Sequence, residues 1–140
     1  MKFKIIVLVI ICVLILFSVF YFFSFREKAI YIELDLSNTN TININGFGSI
    51  DLNTKDKEKI SKVIKYFDLI EYYRNEKFQI HNETPDTSIT LLGKDEKVID
   101  EIEFYGDLAE YKGEQYRLKI HNVHKFYEGI ENLCTSINGK

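Results

Sequence analysis

The sequence predicts an α+β fold: an N-terminal transmembrane helix followed by a small antiparallel sheet with two amphipathic helices packed on one face. Three observations carry that expectation. An unbroken apolar run from Ile5 to Phe25 opens the chain. Short segments of period-two alternation follow, set apart by turns rich in glycine, asparagine and aspartate. Two further stretches place apolar residues at helical spacing, so strands and helices share one chain without the strict alternation of a parallel fold.

Lys4 and Arg26 bracket the apolar run. As a helix rising about 1.5 Å per residue it would cover roughly 31 Å, close to the thickness of a bilayer's hydrocarbon core. Tyr21, Phe22, Phe23 and Phe25 gather at one end, where aromatic rings suit the headgroup boundary. The run is longer than the apolar region of a cleavable signal peptide, and no small-x-small site follows Ser24. Cys12 follows Ile11 in mid-run, which is the wrong setting for a lipidated cysteine, and the glycine and glutamate of a pilin leader are missing. Residues 1–28 therefore read as an uncleaved signal anchor with its span at 5–25, and 29–140 as a single extracytoplasmic domain. Lys2 and Lys4 balance Arg26 and Lys28, so the free amino group and the short head place the N-terminus in the cytoplasm and the domain outside.

The domain holds 14 basic and 20 acidic residues, a net charge of minus six, which argues against nucleic acid as a partner. Its size suits one hydrophobic core, and Cys134 is its only cysteine, so it stands without an internal disulfide. Cys134 lies on an apolar helical stripe and reads as a small core residue. The abundance of isoleucine, lysine and asparagine resembles proteins from AT-rich bacterial genomes.

Ile30, Ile32, Leu34 and Leu36 alternate with polar residues and predict a first strand, turning at Ser37 to Asn40 into Thr41 to Asn45 as a hairpin. Gly46-Phe47-Gly48 closes it as a turn; the third glycine of a dinucleotide fingerprint is missing. Thr54 is the expected cap of a helix with Ile60, Val63, Ile64, Phe67 and Ile70 inward and Lys59, Lys62 and Lys65 solvated. Ile89 and Leu91 mark a strand, Gly93 to Glu96 a turn, and Val98, Ile102 and Phe104 the partner strand, with Glu101 and Glu103 outward. Turns at Gly106-Asp107 and Lys112-Gly113-Glu114 complete a meander through Leu108 to Tyr111 and Tyr116 to Ile120. Asn122 caps a last helix whose apolar face is Val123, Phe126, Tyr127, Ile130, Leu133, Cys134 and Ile137, ending near Gly139.

The stretches Lys94-Asp95-Glu96-Lys97-Val98-Ile99 and Ile102-Glu103-Phe104-Tyr105-Gly106-Asp107, set behind a single span, resemble the small membrane-anchored extracytoplasmic domains of unknown function from low-GC Gram-positive bacteria. That resemblance implies a location and a fold; it brings no activity and no site residues.

No motif for catalysis is legible. His121, His124 and Glu128 lack the dense spacing of a zinc motif, and Asp100, Glu101, Glu103, Asp107 and Glu110 lack the loop pattern of a calcium site. Cross-strand ion pairs of Glu101 and Glu103 with Arg117 and Lys119 account for the acidic run. No catalytic residue, cofactor or metal ligand is assigned, and the reading is a monomeric, non-enzymatic envelope domain that binds a protein partner or acts as an accessory or sensor. An immunity-type protein against a toxin at the membrane is the alternative, ahead of a tethered hydrolase. The candidate contact surface is the irregular stretch Tyr72 to Asp86, with Tyr72, Tyr73, Arg74, Phe78 and His81 as the residues, because large aromatics and arginine in a long loop suit an interface. The same aromatics could instead close the core.

Overall fold

The computed structural model describes residues 2–24, 27–75, 80 and 83–139. Three helices and seven strands follow in the order α1 (Lys2–Ser24), β1 (Thr41–Gly46), β2 (Asp51–Thr54), α2 (Lys57–Phe67), β3 (Tyr72–Arg74), β4 (Thr87–Leu92), β5 (Val98–Tyr105), β6 (Leu108–Tyr111), β7 (Glu114–Leu118) and α3 (Val123–Asn138). The strands form one antiparallel sheet in the order β2-β1-β4-β5-β6-β7-β3, so α2 carries the chain from one edge to the other.

One face of the sheet is apolar because the period of two puts Ile42, Ile44, Ile89, Leu91, Ile102, Phe104 and Ala109 on the same side, all buried. Both later helices cover that face. Phe67 of α2 stacks on Phe104 at 5.7 Å, and Phe126 of α3 meets Phe104 edge-on at 5.5 Å. Each such aromatic pair contributes about 0.5–1.5 kcal/mol beyond the area it buries. Ile60, Val63 and Ile64 complete the buried stripe of α2, and Ile130, Cys134 and Ile137 that of α3. Burial, and then the Asp51 carboxylate, push the Cys134 thiol up to about 11, as suits an inert core residue. The helices approach each other at Gly129, where a Cβ would collide with the Tyr66 hydroxyl.

The helix ends follow local chemistry. Asn122 caps α3, its Oδ1 accepting the Lys125 N–H at 3.0 Å, and Gly139 closes it in the left-handed region at φ 73°. For α2 the cap is Asp56, not Thr54: its Oδ1 accepts the N–H groups of Glu58 and Lys59 at 2.9 and 3.3 Å. Thr54 is held in β2 opposite Ile42, and the carboxylate two residues on adds a charge that the helix dipole favours.

The expected hairpin between Ile30–Leu36 and Thr41–Asn45 does not form. Both edges of β1 are taken, by β2 with Ile44 opposite Leu52 and by β4 with Ile44 opposite Ile89. Ile32 and Leu34 are buried as their alternation implies, yet the segment's one ladder contact is Ile30 against Tyr72. The chain leaves it through a turn closed by Asp35, whose carboxylate accepts from the Ser37 hydroxyl at 2.6 Å and the Asn38 amide at 2.8 Å and is held down to about 2 by those bonds. The meander forms as its turn residues predict, with Lys112 and Gly113 both at positive φ between β6 and β7. Val98 is the exception: pairing slips between Leu91 and Leu92, leaving Val98 58% exposed, and the next inward position is Asp100, 5% exposed.

The predicted ion pairs of Glu101 and Glu103 with Arg117 and Lys119 are also absent. Strand β6 separates β5 from β7, so Glu103 lies opposite Glu110, while Arg117 pairs with Glu27 at 2.8 Å and Lys119 with Glu71 at 2.7 Å. Glu101 accepts from the Thr90 hydroxyl and Glu103 from the Tyr105 hydroxyl.

Helix α1 differs from the other two in being apolar on all sides. From Ile6 to Phe22 its side chains are exposed, Phe17 and Phe20 at 71% each. That stretch alone, about 17 residues, lies at the lower limit of what a crossing takes, and among the described residues no helix is long and apolar enough to cross a membrane.

Candidate functional site

A groove with both apolar and charged walls lies between the β1–β2 turn and the first half of α3. It encloses about 660 Å³. Its first wall is Phe47, 66% exposed, on the turn between β1 and β2. Gly46 lies so close to the neighbouring strand that a Cβ would come 2.6 Å from Thr87 Oγ1, 2.8 Å from Ile50 Cγ2 and 3.0 Å from the Asp86 carbonyl. Gly48 sits at φ +70°, and the Phe47 N–H donates to the Asp86 carbonyl at 3.2 Å. A phenyl ring is thus held out in solvent by a framework that allows it little freedom.

Asp86 forms the floor. Its Oδ2 accepts the Gly106 N–H at 2.7 Å and faces the Tyr127 hydroxyl at 3.4 Å, and that hydroxyl lies 3.1 Å from the Gly106 carbonyl. Burial, and then the adjacent carboxylate, hold the Tyr127 phenol firmly protonated, so it acts as a donor and not as a base. The second wall comes from α3: Val123, His124, Glu128 and Glu131 follow one helical face above Ile50. Among the lining residues there are three carboxylates, one histidine and no lysine or arginine. The side chains of His124, Glu128 and Glu131 have no hydrogen-bond or ion-pair partner among the described residues.

A second polar cluster sits at the other end of β5. The Tyr111 hydroxyl donates to Asp100 Oδ2 at 2.9 Å, and Lys112 Nζ lies 3.4 Å from the other oxygen and 4.7 Å from the centre of the Tyr111 ring. Burial raises the Tyr111 phenol, and the hydrogen bond to Tyr111 raises the Lys112 ammonium. This arrangement neutralises a buried carboxylate on the central strand of the sheet and offers no nucleophile.

The predicted contact stretch begins as a strand. Tyr72 turns inward, 1% exposed, with its ring edge-on to Tyr116 at 6.2 Å, so it belongs to the core and leaves no face for a partner. Tyr73 and Arg74 remain at the surface but are engaged within the domain, Tyr73 through its hydroxyl to Glu71 at 3.1 Å and Arg74 to both oxygens of Glu114 at 2.8 Å. Phe78 and His81 lie outside the described residues. His121 and His124 are both exposed, and among the described residues no group of three or more histidines, cysteines or carboxylates could hold a metal ion.

The groove residues Phe47, Asp86, Val123 and Tyr127 were hidden among turn and core positions. The legible signal was Phe47 itself, a large aromatic between two glycines, where a turn by itself asks for none. Comparison of the chain with protein-family models, with curated proteins and with solved structures finds no match.

Proposed function

We propose that the chain is a single-pass, membrane-tethered binding domain, anchored by α1 with its N-terminus in the cytoplasm and its sheet domain displayed outside the cell membrane to engage a protein partner. The observation that carries this reading is the ring of exposed apolar side chains around α1. A helix that is hydrophobic on every side is stable only when something apolar surrounds it, and the sheet's own core is already covered by α2 and α3. The sequence continues the uncharged run to Phe25, which brings it to the length of a crossing.

The link between anchor and domain is short. Glu27 is bound to Arg117, and Ile30 exchanges both backbone hydrogen bonds with Tyr72, at 2.7 and 2.9 Å. With about 3.8 Å between consecutive Cα atoms, the end of α1 reaches no more than about 11 Å from Glu27. On this reading the β7–β3 edge sits next to the bilayer, and the domain is held in a limited range of orientations.

Full-length protein in native membranes should remain in the pellet after alkaline extraction, and protease added to cells stripped of any wall should degrade the domain. Release by alkali would refute the anchor, and protection until lysis would invert the orientation. An immunity-type role, in which the domain covers a toxin at the membrane, is the second reading; the acidic groove beside Phe47 favours it over any hydrolase.

A further inference from the structure

We infer that the groove between Phe47 and α3 is the partner site, and that it takes a basic polypeptide segment carrying one large apolar side chain. This deepens the binding role proposed above and rests on it.

The apolar part of the groove is preformed. Phe47 on one side and Val123 on the other, 39% exposed, face a floor closed by Tyr127 and Ile50. Exposed aromatic surface on a rigid support loses little conformational entropy on binding, which is what an anchoring contact needs. Gly46 allows the turn its close approach to Thr87 and Asp86, and Gly48 allows its positive φ.

The polar rim selects the partner's sign. Glu128 and Glu131 stand beside the apolar strip, over Asp86 in the floor, with no lysine or arginine among the lining residues, and neither glutamate has an ion-pair partner among the described residues. At the β7–β3 edge, by contrast, Glu71, Glu114 and Glu27 already hold Lys119, Arg74 and Arg117. An incoming lysine or arginine therefore gains more at the groove than at that edge, and the apolar wall beside the carboxylates sets the groove apart from Glu101, Glu103 and Glu110 on the sheet's other face.

The test uses the full chain in micelles of an uncharged detergent and a short synthetic peptide in which lysines flank one phenylalanine. Two control peptides replace the lysines by glutamate or the phenylalanine by alanine. The basic aromatic peptide should bind more tightly than either control and weaken as salt is raised. Phe47→Ala and the double variant Glu128→Gln, Glu131→Gln should each weaken it by about tenfold or more with the melting temperature unchanged. Glu101→Gln with Glu103→Gln, on the open face of the sheet, should leave it unaltered. Equal binding of all three peptides would overturn the assignment by showing that neither the lysines nor the phenylalanine is read, and equal loss from the Glu101 and Glu103 variant would overturn it by showing a response to overall charge alone. Self-association of the full chain that disappears in Lys62→Glu, Lys65→Glu would overturn it as well, by making a second copy's α2 the occupant. The measurement does not depend on whether α1 spans a bilayer: peptide binding by a chain that alkali extracts defeats the anchor alone, and a membrane-retained chain that ignores the peptide defeats this site alone.

Discussion

The two ends of the sheet treat charge in opposite ways. At the β7–β3 edge, where the chain from α1 joins the sheet, Arg74, Arg117 and Lys119 each hold a glutamate at 2.7–2.8 Å. Around the groove by the β1–β2 turn, Glu128 and Glu131 hold no partner among the described residues. The first arrangement spends its cations on fixing short segments of the chain to one another, Glu27 to β7 and Glu71 to the residue after it. The second leaves its charges available. The difference teaches that an acidic domain is not uniformly acidic in effect: a paired carboxylate is already satisfied, and the unpaired ones decide what the surface attracts.

Tyr72→Ala should have the largest effect and strikes the β7–β3 edge. The ring is buried at the junction of β3, β7 and the Ile30 segment, so its loss should cost about 3–5 kcal/mol. At about 4–8 °C per kcal/mol the melting temperature should fall by more than about 10 °C, measured by calorimetry or circular dichroism. A fall of a few degrees would mean that this edge is held by its ion pairs and not by the buried ring.

Gly46→Ala strikes the other end. The new methyl meets Thr87, Ile50 and the Asp86 backbone, so it should cost about 1–3 kcal/mol and shift the Phe47 turn. Peptide binding should fall with it, whereas Phe47→Ala should remove binding while leaving stability within about 0.5 kcal/mol. If Gly46→Ala melts like the native chain, the turn is not rigid and the anchoring role of Phe47 loses its basis.

Arg117→Ala should have the smallest effect. The Arg117–Glu27 pair is half exposed on the arginine side and more so on the glutamate side, where such pairs contribute about 0–1 kcal/mol and are screened by salt. Stability should therefore hardly change, while amide exchange at Lys28 to Ile30 should quicken as the segment that joins α1 to the sheet loosens. A large drop in melting temperature would show that the pair carries more of the fold than its exposure suggests.

Much of the fold was legible because it rests on local periodicity. The α2 and α3 stripes, the β4–β5 hairpin, the two-residue turns at Gly106 and Gly113 and the capping by Asn122 all depend on residues within a few positions of each other. The contact stretch was harder: Tyr72 and Tyr73 look alike in sequence, and only the pairing of β3 with Leu118, Arg117 and Tyr116 sends one inward and the other out. Of the groove only Phe47 left a signal in the sequence, since Asp86, Gly106 and Tyr127 come together across 20 to 41 positions of chain.

By itself, then, the sequence determined the apolar run of α1, the acidic balance of the domain, the inward faces of two helices and most of the turns, because side-chain period, charge and backbone freedom are properties of neighbouring residues. Only the tertiary structure decided which strand lies beside which. That choice took the first alternating segment out of the β1 pairing, placed β6 between Glu103 and Arg117, and set Phe47 against α3. A strand's alternation specifies which side chains face the core but not which other strand satisfies its backbone; that is decided by competition among edges, which closes when β2 and β4 occupy both sides of β1.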